Sequence, residues 1–190
     1  FTLQYSFMGT YAQNQIEKKY QRDIGYSLLN GLLTGDELSK AARMLKLKDT
    51  AQYCVVSFHT ISSNSEDYYT KEELEEIGVI EGEIQRLLPD EHIYRNLNQI
   101  VCIHEIKPGE TQAGFREEME KLYQTVQKQI FHRNKTTDFQ IGIGSIVNGY
   151  GDLKKSFKDS KKIIDYMDMI RYLYGDKNIS VADLDRKSVV

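Results

Sequence analysis

The sequence has few of the features that mark secreted and disulfide-rich proteins. Its 190 residues include only two cysteines, Cys54 and Cys102, and each lies in an apolar run, where a reduced thiol behaves as a small hydrophobic side chain. A chain of this length buries enough surface to fold without disulfide bonds. The two cysteines therefore indicate a reducing compartment, and we expect a cytoplasmic protein.

Long hydrophobic runs and dense positive charge are also missing. No segment approaches the ~20 consecutive apolar residues of a membrane-spanning helix, and no basic stretch followed by an apolar one marks a signal peptide. We therefore expect no membrane contact by this segment. The formal net charge is -3, from 25 Lys+Arg and 28 Asp+Glu. Without a basic stripe, the chain is not expected to bind DNA by itself.

Hydrophobic periodicity predicts two helices ahead of the first strand. The first covers 14–33 and is expected to stop at Gly35. The second covers 36–47, and Thr34 and Glu37 have the spacing of a capping box at its start. The apolar stripe of the first helix recurs at four-residue steps, at Ile16, Tyr20, Ile24 and Leu28.

The remainder of the chain alternates between strand and helix patterns. Strands are predicted at 51–62, 92–97, 100–107, 139–143 and 178–184, and helices at 70–88, 115–133 and 153–174. Thr70 and Glu73 have the spacing of a capping box at the start of the helix at 70–88. The second and third strands form a hairpin. An antiparallel hairpin between helical crossovers predicts an α+β fold, with a sheet flanked by helices and an N-terminal helical extension.

Local motifs indicate neither a metal site nor a cofactor site. The four histidines have no metal-ligand spacing with each other or with a cysteine. Gly142 and Gly144 lie in a strand ahead of Gly149 and Gly151, but their spacing does not match a phosphate-binding loop. We interpret the strand glycines as positions where another backbone or a helix packs closely. No catalytic set of residues is visible.

The most specific motif lies in the last third of the chain. Residues 139–145 read Phe-Gln-Ile-Gly-Ile-Gly-Ser, and the following helix carries Ser-Phe-Lys-Asp-Ser at 156–160. This pattern resembles the signature of degenerate diguanylate-cyclase-like (GGDEF-like) domains, over about Tyr26 to Asp185. The matched positions are Gly142, Gly144, Ser156, Phe157, Asp159 and Ser160, where the family has Tyr, Glu and Ala at the last three of the helix positions.

The resemblance implies a domain layout and a regulatory role. Such domains precede the DNA-binding helix-turn-helix of AraC-type and YesN-type bacterial regulators, and a related version occurs in PucR/CdaR regulators. We therefore expect linker and dimerisation helices over 1–48, a degenerate GGDEF-like domain over 49–185, and the start of a linker over 186–190. Any DNA contact would come through a C-terminal domain beyond Val190.

The resemblance also implies that catalysis is lost. Active cyclases carry Arg-x-Gly-Gly-Asp-Glu-Phe at the hairpin, and this chain has Arg95, Asn96, Leu97, Asn98, Gln99 and Ile100 there. Neutral amides cannot supply anionic ligands to a divalent cation, and Leu97 places a side chain where a phosphate must approach closely. The metal-binding Asp that cyclases place at the end of the first strand has no counterpart between Val56 and Ser62.

We expect a noncatalytic domain that holds two regulator chains together and relays a signal to a DNA-binding domain. The stripe from Ile16 to Leu28 is the candidate homodimer surface, with the alternative that it folds back onto its own sheet. Two other functions stay open at this point. The domain could sense a small molecule in a pocket between sheet and helices, or it could be an active nucleotide cyclase.

Overall fold

The computed structural model describes residues 2–61, 70–132 and 138–174. Its regular elements in chain order are α1 Thr2–Leu29, α2 Gly35–Met44, β1 Gln52–Ile61, α3 Lys71–Leu87, β2 His92–Asn96, β3 Gln99–Glu105, α4 Gln112–His132, β4 Asp138–Ile143, β5 Val147–Asn148 and α5 Leu153–Tyr174. A short 3-10 turn at Tyr150–Asp152 precedes α5.

The strands form one antiparallel sheet in the order β2-β3-β1-β4, and β5 pairs with the start of β1. Strand β1 is central, because it pairs with β3 on one side and β4 on the other. The predicted hairpin of β2 and β3 is confirmed, with Asn96 opposite Gln99 and a two-residue turn between them. The mixture of helices and antiparallel sheet confirms the α+β prediction.

Each face of the sheet carries its own hydrophobic core. Cys54, Val56 and Phe58 of β1 face α3 and α4, whereas Tyr53 and Val55 face α1, α2 and α5. This alternation follows from the two-residue period of a strand. Both faces of β1 are covered by helices, which explains why β1 has no polar face.

Helix α1 ends earlier than the sequence pattern predicts. It stops at Leu29 because Gly31 adopts a φ of 65°, a left-handed conformation that glycine adopts without strain. The N–H groups of Gly31 and Leu32 then bond the carbonyls of Leu28 and Ser27, which closes the helix. The prediction that Gly35 stops the first helix is therefore wrong, and Gly35 is the first residue of α2.

The two predicted capping boxes have different outcomes. At α3, the side chains and backbone groups of Thr70 and Glu73 form the complete box. At α2, Thr34 is the N-cap but its side chain makes no capping hydrogen bond. The backbone carbonyl of Thr34 accepts from the Glu37 N–H instead, so the capping box predicted at the start of α2 is wrong.

A short strand, β5, lies between β4 and α5. Strand β5 was not predicted, because two residues are too few to show a period; Val147 lies opposite Tyr53. The predicted strand at 178–184 and the linker at 186–190 lie outside the described residues. Within the described part of the chain, no helix has both the length and the apolar character needed to cross a membrane.

Strand β4 and helix α5 approach each other closely enough to exclude any side chain between them. A Cβ atom on Gly142 would lie 2.1 Å from the carbonyl oxygen of Ser160, and one on Gly144 would lie 2.1 Å from that of Ser156. Both distances are far below van der Waals contact. The prediction that these glycines permit close packing is confirmed.

We predict that Gly144→Ala destabilises the protein by at least about 2 kcal/mol, because the new methyl group forces α5 away from the sheet. Urea unfolding followed by circular dichroism measures this change. Gly151→Ala is the matched control, since a Cβ at Gly151 meets nothing within 4 Å. Equal stability of the two variants would contradict this description of the helix–sheet contact.

Candidate functional site

The hairpin between β2 and β3 places the predicted cyclase-type positions at one end of the sheet. Asn96 and Gln99 are the last paired residues, Leu97 and Asn98 form the turn, and Ile100 is buried in the core beneath α3 and α4. Arg95 points to α3, where its Nη1 lies 3.0 Å from Oε2 of Glu81. The six positions therefore share one turn but not one surface.

Leu97 occupies the tightest point of this turn. Its φ is 50° and its side chain is 63% exposed. A left-handed φ costs a residue with a Cβ atom roughly 1–2 kcal/mol. The turn has therefore kept a backbone shape that suits glycine, while the leucine side chain occupies the space above it.

Asn98 fastens the turn to the end of β1. Its backbone carbonyl accepts hydrogen bonds from the N–H of Thr60 at 2.9 Å and from Oγ1 of Thr60 at 3.1 Å. Its side-chain amide donates to Nε2 of His59. An acceptor nitrogen requires a neutral imidazole, and burial lowers the pKa of His59 despite the nearby Asp168 and Asp165. An aspartate at position 98 could not replace Asn98 in this bond, because an ionised carboxylate has no proton to donate to the imidazole nitrogen.

A small cleft opens between this turn and α5. Its volume is about 190 Å³, and it is lined by His59, Asn98, Gln99, Lys161, Ile164 and Asp165. Asp168 lies beside it, with its Oδ2 3.8 Å from Nδ1 of His59. The cleft thus combines two neutral amides, one imidazole, one ammonium group and carboxylates from a single helix.

The serines of the family signature join α5 to the centre of the sheet. Oγ of Ser156 accepts from the Val55 N–H at 2.8 Å, and Oγ of Ser160 lies 2.7 Å from Oγ of Ser57. Both serines are fully buried. Because a buried hydroxyl needs a hydrogen-bond partner, the two serines fix the position of α5 along β1.

The remaining signature residues also serve packing. Phe157 is buried in the core beneath α1 and α2. Asp159 accepts a hydrogen bond from Oγ of Ser145 at 2.7 Å, and this bond lowers the pKa of its carboxyl, with Lys162 adding to the effect. The signature residues therefore hold α5 against β4 and β1 and form no reactive group.

A family model for the GGDEF-like domain matches residues 30–166, which is most of the chain. The chain belongs to the GGDEF-like domain family. The match starts just after α1 and ends within α5, so it contains the sheet, the hairpin and the close helix contact described above. No curated protein matches the sequence.

The residues at the GGDEF-like hairpin do not fit the metal and nucleotide that active members of the fold use. Hard divalent cations prefer several carboxylate or phosphate oxygens, whereas Asn98 and Gln99 offer neutral amides and the Asn98 amide is held by His59. Among the described residues, no group of three or more His, Cys, Asp or Glu side chains is arranged to hold a metal ion.

The predicted dimer stripe of the GGDEF-like chain is divided between two environments. Leu28 is buried in the core, and Ile24 packs partly against it. Ile16 and Tyr20 are 70% and 56% exposed. The alternative that the stripe folds back onto its own sheet therefore describes Ile24 and Leu28, whereas Ile16 and Tyr20, near the middle of α1, form an exposed apolar pair.

The sequence pattern did not predict a buried histidine, His104, on the face of the sheet that α3 and α4 cover. Nδ1 of His104 lies 2.8 Å from Oε1 of Glu91, and its Nε2 lies 3.1 Å from Oε2 of Glu110. Its ring stacks on Phe115 with centroids 4.3 Å apart. A neutral imidazole has one N–H, whereas two carboxylates require two donors. The cluster therefore holds a charged histidine.

The pKa values of this cluster agree with its geometry. Burial alone lowers the pKa of His104, but the hydrogen bonds and charges of Glu91 and Glu110 outweigh burial, so the pKa is raised. For Glu110, burial raises the pKa, but bonds from the Lys107 N–H and from His104 outweigh it, so the pKa is lowered. The cluster joins the start of β2 and the turn before α4 to β3.

We predict that the free energy of unfolding falls as pH rises through the raised pKa of His104. A group with a raised folded-state pKa stabilises fully below its unfolded value, here 6.5, and loses that contribution above its folded value. Urea unfolding at several pH values between about pH 6 and about pH 9 measures the slope. His104→Asn should reduce this slope, whereas the control His92→Asn should not reduce it, because burial lowers the pKa of His92 and such a group contributes a slope of the opposite sign. A wild-type slope unchanged by His104→Asn would contradict the charged cluster.

Proposed function

We propose that this GGDEF-like domain is a noncatalytic regulatory module that joins two chains of a bacterial transcription regulator and relays a state change to a DNA-binding domain. The observation that carries this proposal is the hairpin turn, where amides stand in the positions of the cyclase acids and Asn98 fastens the turn to His59 and Thr60. The fold of the family is retained, and the residues of the turn hold it to β1 in place of binding a metal.

The loss of catalysis is supported by charge as well as by shape. Phosphoryl transfer depends on metal ions that neutralise the charge developing on the phosphate oxygens. Such ions need anionic ligands, and the acids nearest the turn, Asp165 and Asp168, lie on one helix together with Lys161. The exposed Leu97 side chain also occupies the approach to the turn. The lack of anionic ligands at the turn, the restriction of the nearby acids to one helix, and the Leu97 side chain all disfavour a bound metal and nucleotide.

The pairing of two chains is supported by the middle of α1. At 3.6 residues per turn, Ile16 and Tyr20 lie on the side of the helix opposite Lys18 and Arg22, and those two basic residues line a cleft against the domain. The two apolar side chains therefore face away from their own domain. A second copy of α1 can bury both of them.

The C-terminal half of α1 connects this surface to the sheet. Leu28 and Leu29 are buried with Tyr53 and Val55 of β1, and the Tyr26 ring packs against Tyr94 of β2. One continuous helix thus carries an exposed apolar pair near its middle and core residues at its C-terminal end. A change in how two helices pair would alter the packing on the sheet, and this coupling is the proposed relay.

The proposed output of the module rests on the resemblance of the motif at 139–160 to that of regulator domains. We propose that a helix-turn-helix domain of the AraC or two-component response-regulator type follows this segment in a cytoplasmic regulator. DNA is then bound by that domain and not by this one, in line with the net charge of -3.

Small-molecule sensing is the second candidate function. The cleft beside the hairpin turn is about 190 Å³, below the ~300–1,000 Å³ of typical ligand pockets. Its lining is largely polar. The cleft beside the turn therefore offers little room for a metabolite at the cyclase-type site.

The pairing is tested by sedimentation equilibrium of the 190-residue chain. We predict a dimer that Ile16→Glu combined with Tyr20→Glu converts to a monomer, because two charges then replace the exposed apolar pair. The variant should melt at the temperature of the wild-type chain diluted to its monomeric form, since neither side chain contributes to the core.

Leu32→Glu is the matched control, because Leu32 is 71% exposed but lies outside the stripe. This control should remain a dimer. A wild-type monomer at high protein concentration, or a dimer that survives both substitutions in α1, would remove Ile16 and Tyr20 from the proposed role.

A further inference from the structure

The outer edge of β2 faces a second, larger cleft. The strand pairs with β3 alone, so its other edge has no strand partner among the described residues. Along that edge runs an open cleft of about 450 Å³, lined by residues 91–95 of the strand region, by α3 and by residues 15–22 in the middle of α1. An unpaired edge presents backbone N–H and C=O groups that an extended chain can bond.

The α1 wall of this cleft is basic. Gln15, Lys18, Lys19 and Arg22 line it, and their spacing of three, four and seven residues places them on one helix face. Lys18 and Lys19 form no ion pair with a described residue. Arg22 lies 3.6 Å from the neighbouring Asp23, and both side chains are solvent-exposed, so water screens this pair. Lys18 and Lys19 are therefore available to a ligand, and Arg22 adds a weakly paired third cation.

The acids that line the cleft are already neutralised. Glu81 is paired with Arg95 at 3.0 Å, and Glu91 is paired with the buried His104 at 2.8 Å. The positive charge of α1 therefore remains in excess beside the strand edge. A chain bearing carboxylates is attracted there, whereas a basic chain is repelled.

We infer that this cleft is a docking site for an extended acidic peptide, which adds to the sheet as a strand beside β2. Its backbone would pair with the free edge of β2, and its acidic side chains would meet Lys18, Lys19 and Arg22. The site lies on the side of α1 opposite Ile16 and Tyr20, so it goes beyond the proposed dimer and does not depend on it.

Fluorescence anisotropy with a labelled six-residue peptide of alternating glutamate and valine tests this inference. We expect saturable binding to the 190-residue chain, and no binding of the same peptide with lysine in place of glutamate. Lys18→Glu combined with Lys19→Glu should weaken binding at least about tenfold, because two attractive charges become repulsive. Lys40→Glu combined with Lys128→Glu makes the same charge change on other helices and should leave the affinity within about twofold.

Backbone pairing is tested separately from charge with two N-methylated peptides. One carries methyl groups on the glutamate amides and the other on the valine amides. Alternate N–H groups of a strand point to opposite edges, so strand addition predicts that one peptide loses binding while the other keeps it. Retained binding of both, equal binding of inorganic polyphosphate, an unaffected Lys18 and Lys19 variant, or no binding of the parent peptide would overturn the inference.

Discussion

The close contact between β4 and α5 is the constraint on which the rest of the structure depends. Glycine at positions 142 and 144 lets the α5 backbone approach until only hydrogen atoms separate the two elements. At that distance Ser156 and Ser160 reach β1, and Phe157 fills the core under α1. The same contact sets the position of Lys161 and Asp165 beside the hairpin turn. The family signature is therefore a packing motif with consequences for the site.

The hairpin turn is held to the sheet by its own side chains and backbone. Leu97 has a left-handed backbone at the cost of strain, and the Asn98 amide donates to His59. The turn therefore places neutral groups, and no anionic ligand, in contact with β1. The interactions that stabilise the turn are thus the ones that disfavour a metal ion at the same place.

The sequence was informative where a feature has a local period or a single-residue cause. The β2–β3 hairpin, the two faces of β1 and the packing role of Gly142 and Gly144 could all be predicted from alternation and from the need for close approach. The cluster of Glu91, His104 and Glu110 could not, because its members come from three segments without a common spacing and meet only in the folded chain. The stop at Gly31 was also missed, since apolar residues continue past it.

The loss of metal and nucleotide binding is the central claim, and calorimetric titration of the chain with GTP and magnesium tests it most directly. An active diguanylate cyclase measured in the same buffer shows that the assay detects binding. The account predicts no magnesium-dependent heat of binding and no cyclic dinucleotide product after prolonged incubation. Saturable binding that requires magnesium, or any cyclic dinucleotide formed by this chain, would contradict the conclusion that Asn98 and Gln99 have ended the cyclase chemistry of this turn.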